Sequence, residues 1–389
     1  MIYSGVFFGT SLRKREIRQL STMTVVFRVE ASPIIGSGHL MRCLTLARQI
    51  RKRGAGVLFV MRDLPGHLAT LVERAGLPVT LLPAPAAGRE PIELLTTHSH
   101  WLGVHWETDA RQTLDVVAQH GPVDWLVVDH YAIEKRWEQI LRPVSGRILV
   151  IDDLADREHE CDVLLDQNYL TGLATRYHNR VPAHCLTFLG PRYALLRDEF
   201  LQARKQSLHR TGRIEKILVF FGGYDPANAT GLALRSIAAL ERPEITVEVV
   251  VGEANPHSGE ISELCRSSPR FRFHRQIENI AELMNHSDLG LGAGGATMWE
   301  RCYLGLPSLV LILAENQRNT TLSCAHYGAV ENLGDFGCLT ETHLTEKLRH
   351  CLDHPAKVRQ MGGRALQLSD EGIGPPGRGI VESLWINGG

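Results

Sequence analysis

A histidine directly behind two glycines, at the opening of a helix, is the arrangement in this chain best suited to moving a proton. It lies in residues 35–42, IGSGHLMR, after a β-branched run and before the longest amphipathic stretch. Gly36 and Gly38 allow a sharp turn and a close backbone approach to a ligand. The helix that follows offers unpaired N–H groups and a partial positive charge to an anion. That positive end disfavours imidazolium, so His39 is expected to be neutral near pH 7 and able to take a proton from water. The plainer alternative is a turn and a cap with no chemistry.

Two further glycine turns repeat the pattern. In residues 216–228, KILVFFGGYDPAN, Gly222 and Gly223 separate a strand from a helix that opens near Pro226 or Ala227, although Pro and Asn there are also ordinary start signals. In residues 291–307, LGAGGATMWERCYLGLP, Gly294, Gly295, Ala296 and Thr297 can offer N–H groups and a hydroxyl to phosphate oxygens. Glu300 in that helix would repel phosphate but could accept from both hydroxyls of a ribose. A capped helix with an exposed acid is the competing account. Asp129, His130 and Tyr131 follow one strand, and Glu315, Asn316 and Gln317 follow another, so both groups could reach a ligand; packing of Tyr131 and capping of the next helix by the amides are the competing accounts. Arg42, Asp129 and Gln317 are the expected sugar contacts. His98, His100 and His105 have no carboxylate or cysteine at ligand spacing and read as loop residues, not metal ligands. Asp152 and Asp153 read as capping residues. No metal or cofactor site is expected.

These turns need strands and helices to hold them. From Met23 onward short β-branched runs alternate with amphipathic stretches, the mark of α/β architecture with parallel sheets covered on both faces. Strands are expected at 24–29, 56–61, 78–82, 125–128, 147–151 and 162–165, then at 215–221, 245–251, 271–274, 288–291 and 308–313. Helices are expected at 40–53, 228–240, 280–285 and 297–304. The polar segment LQARKQSLHRTGR suits an exposed connector. The division is therefore a first Rossmann-like domain at 23–200 carrying His39, a linker at 201–213 and a second Rossmann-like domain at 214–389. Residues 1–22, apolar before basic, run opposite to a secretory signal and are expected to be a loose extension or a mis-assigned start. Two such domains place a cleft between the carboxyl ends of their sheets.

Composition narrows the partners. Lys+Arg total 42 against Asp+Glu 43 in 389 residues, a formal charge of −1, so there is no broad basic surface for nucleic acid or anionic lipid. Eight cysteines without a C-x-x-C pair suggest neither a disulfide framework nor a thiolate zinc site. No apolar run approaches the roughly 20 residues of a membrane helix. A cytoplasmic protein without stable membrane association is expected, with a monomer favoured.

The ordered set RVEASPIIGSGHLMRCLTLA, VVDHYAI, VIDDLADREHECDVLLDQNY, FLGPRYALLRDEF, ILVFFGGYDPAN, AGGATMWERCYLGLP and LAENQ resembles the UDP-2,4-diacetamido-2,4,6-trideoxy-β-L-altropyranose hydrolases of pseudaminic acid biosynthesis, a pathway of flagellin glycosylation. The likeness runs over nearly the whole chain from Met23. It implies a GT-B-like fold similar to glycosyltransferases of the lipid II synthase type, with a UDP-sugar between two Rossmann-like domains. It further implies metal-independent, inverting C–O cleavage at the anomeric carbon, with His39 as base, Tyr131 and Asn316 as active-site residues and Glu300 as the ribose acid. A glycosyltransferase of the same fold and a non-catalytic UDP-sugar binding module are the alternatives. The chemistry suits the residues: UDP departs as an already stable anion, so a base for water and fixed donors suffice.

Overall fold

The computed structural model describes residues 23–86, 93, 96–206, 209–277, 279–370 and 378–385; the expected extension at 1–22 lies outside them. Short runs of Val, Ile, Leu and Phe form strands buried on both faces, as parallel sheets demand. In chain order these are β1 (Thr24–Val29), β2 (Gly56–Arg62), β3 (Val79–Leu82), β4 (Val123–Asp129), β5 (Ser145–Ile151), β6 (Val163–Asp166) and β7 (Leu186–Leu189). They make one parallel sheet in the order β3-β2-β1-β4-β5-β6-β7, with Val26 flanked by Leu58 and Leu126. The second sheet holds β8 (Lys216–Phe220), β9 (Thr246–Val251), β10 (Phe271–Arg275), β11 (Leu289–Ala293), β12 (Ser308–Ile312) and β13 (Glu331–Asp335). Its order is β10-β9-β8-β11-β12-β13, again all parallel. The expected α/β class with two Rossmann-like domains is what the chain adopts.

Strand order reverses between β1 and β4 in the first sheet and between β8 and β11 in the second. Crevices open outside the carboxyl ends of strands at such switch points. Every motif singled out for chemistry follows one of these four strands or its neighbours β5 and β12.

Three features depart from the sequence reading. The edge strands β7 and β13 are additional to the expected set: β7 is four residues long and partly exposed, and β13, ENLGD, has little strand propensity and is imposed by pairing with β12. The segment expected to be an exposed connector begins inside a helix, Asp198–Lys205, whose Phe200 and Ala203 pack with Ala281, Met284 and Met298 of the second domain. The chain then returns. Ile380, Val381 and Leu384 join the core under the first sheet, and the Trp125 indole N–H donates to the Leu384 carbonyl at 3.0 Å. The first domain's core thus includes residues that the sequence reading assigns to 214–389. Among the described residues no helix is long and apolar enough to cross a membrane.

Candidate functional site

The loop after β1 is pinched shut by a bridge between Ser32 and Gly36, where the Gly36 N–H donates to the Ser32 carbonyl at 2.7 Å. Gly36 takes φ +82°, a region open to glycine. The helix Gly38–Arg51 starts at once, with no side-chain cap and no acid in its first turn. His39, Arg42 and Cys43 are three and four residues apart and share one helix face. That face meets Asp129, the last residue of β4.

Asp129 is fully buried and saturated. Its Oδ1 accepts from His39 Nδ1 at 2.6 Å and from Arg42 Nη2 at 2.6 Å, while Oδ2 accepts from Arg42 Nε at 2.6 Å. Burial alone would push this carboxyl up; Arg42 and His39 outweigh it and hold Asp129 well below the usual carboxylate range. An ionised Asp129 places the proton of a neutral His39 on Nδ1, which leaves Nε2 as the lone-pair nitrogen. No side chain of the described residues bonds it. A base oriented by a buried carboxylate is the arrangement required of a histidine that activates a hydroxyl or water.

A second layer extends from Arg42. Its Nη1 donates to Asp153 Oδ2 at 2.7 Å, which also accepts from the Tyr131 hydroxyl at 2.6 Å. Burial, then Asp153, pushes the Tyr131 phenol well above its ordinary value, so it stays protonated. Asn316 Nδ2, from the second domain, donates to the same hydroxyl at 3.3 Å. The Tyr131 ring stands 4.5 Å from the His39 ring, nearly perpendicular.

The structure therefore joins His39, Arg42, Asp129, Tyr131 and Asn316 in one network spanning both domains. Arg42 and Asp129, expected to contact a sugar, have donors and acceptors engaged with each other, with Asp153 and with His39, an arrangement able to orient the His39 ring.

In the second domain Gly222 adopts φ +104°, and a Cβ on Gly223 would lie 3.4 Å from Ser37 Oγ, so this turn faces the turn that carries His39. The helix behind it, Ala229–Ala238, is not free for an anion: Asp225 accepts from the N–H groups of Ala229 at 2.9 Å and Thr230 at 3.0 Å, and Asn228 Oδ1 accepts from Gly231. The plainer account of that motif holds for its helix end. The third motif differs. The helix Ala296–Tyr303 has no side-chain cap and no acid in its first turn, leaving its leading N–H groups available. Gln317 lies over Gly294 and Gly295 and accepts from the Leu313 N–H at 3.1 Å. Glu300 Oε1 accepts from Arg197 at 3.1 Å, Oε2 has no partner among the described residues, and burial raises its carboxyl.

Several residues here escape the sequence reading. Asp152 does cap, accepting from Leu154 and Ala155, but Asp153 turns into the network, where Asn168 also reaches it at 2.7 Å. Trp101 stacks on Tyr131 with ring centres 5.4 Å apart, and His98 packs edge-on to both. Burial lowers the His98 imidazole, which favours its neutral form. No local signal separates this HSHW segment from an ordinary loop.

Asp166, at the end of β6, is pushed up to about 7, by burial first and by Asp153 second, against Arg176. The folded state therefore holds a proton that the unfolded chain releases near pH ~4. Stability falls as pH rises from that point through about 7, then levels. Thermal melts should show the Tm of Asp166→Asn gaining on wild type between pH 5 and 8; a constant difference contradicts this.

Comparison with known proteins follows the same division. Residues 217–371 match the family model of the glycosyltransferase family 28 C-terminal domain. An uncharacterised protein of Methanocaldococcus jannaschii is 25% identical over 76% of this chain, which spans only 57% of that protein's length. The UDP-2,4-diacetamido-2,4,6-trideoxy-β-L-altropyranose hydrolase of Campylobacter jejuni is 27% identical over 79% of the chain and 97% of its own length. The spore coat polysaccharide biosynthesis protein SpsG of Bacillus subtilis is 32% identical, but over 46% of the chain and 53% of its length. Among solved structures, MurG of Acinetobacter baumannii superposes with TM-score 0.61 at 14% identity, covering 93% of this chain and 99% of that one. UGT89C1 of Arabidopsis thaliana, complexed with UDP, gives 0.62 at 14% identity, covering 93% and 98%. The fold is GT-B.

Proposed function

We propose that this chain hydrolyses a UDP-linked 2,4-diacetamido sugar of the altropyranose type, releasing UDP and the free sugar with inversion. The observation that carries the reading is the His39–Asp129 pair, held at a topological switch point with Nε2 unbonded, beside glycine turns that face each other across the domains. His39 Nε2 takes a proton from water as the water oxygen bonds to the anomeric carbon. The C–O bond to the β-phosphate breaks, and its electron pair leaves with UDP. No acid is needed for so stable an anion, and the reaction is metal-independent. Tyr131 and Asn316 fix the sugar side of the crevice. The uncapped helix Ala296–Tyr303 receives the diphosphate, and the unpartnered Glu300 Oε2 takes a ribose hydroxyl. Gly36, Gly38, Gly222 and Gly223 keep the backbone close around the nucleotide. The likeness to the Campylobacter hydrolase over nearly that protein's full length supports the substrate class.

The family 28 match favours one alternative, transfer of the sugar to an acceptor. Incubating the protein with the UDP-sugar and no acceptor separates the two. Stoichiometric free sugar and UDP are expected; UDP that appears only when an acceptor is added means a transferase.

A further inference from the structure

Strand β11 carries glycine at positions 290 and 292, and with Gly295 these make a G-x-G-x-x-G spacing. The structure gives the first two a different reason from ligand approach. A Cβ on Gly290 would stand 3.0 Å from Arg301 Cδ, and one on Gly292 only 2.4 Å from Arg301 Nη1. Residues two apart on a strand share a face. The two glycines therefore form a groove, and the Arg301 side chain lies in it.

This guanidinium is unlike the other two fully buried ones. Arg28 meets Glu30 and Asp109, and Arg62 meets Asp109. Arg301 is 1% exposed, and none of the ion pairs among the described residues includes it. Its Nη2 donates to the Ala293 carbonyl at 2.8 Å, its Nη1 to the Thr297 hydroxyl at 3.2 Å, and its Nε has no partner among the described residues. The neighbouring acid, Glu300, is paired with Arg197. Burying a charge without a counter-ion is costly, and an anion bound nearby would offset that cost. The missing charge is needed beneath the 293–297 loop, whose helix is uncapped. Thr321, fully buried, also directs an unpartnered hydroxyl at Gly294.

We propose that Arg301 is a built-in counter-charge for the diphosphate of the bound nucleotide, a positioning residue that acts through Thr297 from behind the loop. The inference rests on the UDP-sugar reading above. The Thr297 hydroxyl accepts from Arg301, which turns its proton toward a phosphate oxygen. The fixed cation also favours the negative charge that gathers on the departing UDP.

Titration of wild type, Arg301→Gln and Arg301→Lys with uridine, UMP and UDP tests this. Wild type should bind UDP far more tightly than uridine. Arg301→Gln, which keeps amide donors but no charge, should lose about 10- to 100-fold of UDP affinity, with uridine affinity unchanged. Arg301→Lys should keep most of the preference for UDP. A folded Arg301→Gln that binds UDP like wild type, or that loses uridine and UDP affinity equally, overturns the proposal. If Arg301→Gln does not fold, Thr297→Val decides: an unaltered ratio of UDP to uridine affinity overturns it. Wild type that binds none of the three removes the nucleotide reading itself, and this inference with it.

Discussion

His39→Asn should slow hydrolysis of the UDP-sugar by about 10² to 10⁴-fold while leaving UDP affinity within about threefold of wild type. The split follows from geometry. His39 Nδ1 is engaged by Asp129, and among the described residues no bond ties the ring to the 293–300 loop, so under the proposed function UDP binding at that loop is independent of it. The replacement removes Nε2, the nitrogen that the proposed function assigns as the base. Asn keeps polarity and helix register, and Arg42 still occupies the other positions on Asp129. Single-turnover rates and calorimetric titration with UDP give the two numbers. A variant that turns over at the wild-type rate shows that water is activated elsewhere; one that loses UDP binding in proportion shows a structural role.

Asp129→Asn should be as damaging to turnover, for a different reason. An amide nitrogen at this position would donate to His39 Nδ1, forcing the proton to Nε2 and turning the base into a donor. It would also break the two-point hold on Arg42, a buried cation 6% exposed. Removing one partner of a buried pair costs about 3 to 5 kcal/mol, and Asp153, still 2.7 Å from Arg42 Nη1, keeps the loss near the lower end. Turnover should fall by about 10³-fold or more and the melting point should drop with it. Full activity in Asp129→Asn contradicts the oriented-base account even if the protein is destabilised.

Much of the architecture was legible because the forces that make it are local. Strand runs such as TVVFRV and 3.6-residue periodicity are short-range patterns, and parallel sheets enrich their strands so heavily in Val, Ile and Leu that all eleven expected strands appear near their expected positions. Glycine turns after β1, β8 and β11 were visible for the same reason, and topology then dictates that they face a common crevice. His39 and Asp129 could each be placed at a strand end, but not their bond, which joins residues 90 positions apart. Asp153 illustrates the limit. Beside Asp152 in IDDLAD it has the look of a second cap, and only the packing of the Gly38–Arg51 helix brings Arg42 to it. Phe200 and the 380–384 segment are similar cases: each is apolar in a polar neighbourhood, and its partner belongs to the other domain.

The second glycine motif and the third look alike as strings and differ in use. Asp225 and Asn228 accept from the helix N–H groups behind Gly223, whereas no side chain of the described residues caps the helix behind Gly295. That contrast follows from where the chain folds back, at Asp225 with φ +43°, which spacing alone does not convey.

A proton NMR time course in ¹⁸O-enriched water, with mass spectrometry of the sugar and UDP at its earliest points, the UDP-diacetamido sugar as substrate and no acceptor, tests the central claim most directly. Water attacking the anomeric carbon from the His39 side predicts free sugar that first appears with inverted configuration and carries the label, beside unlabelled UDP. Label in the β-phosphate, or retained configuration at the earliest points, would contradict it.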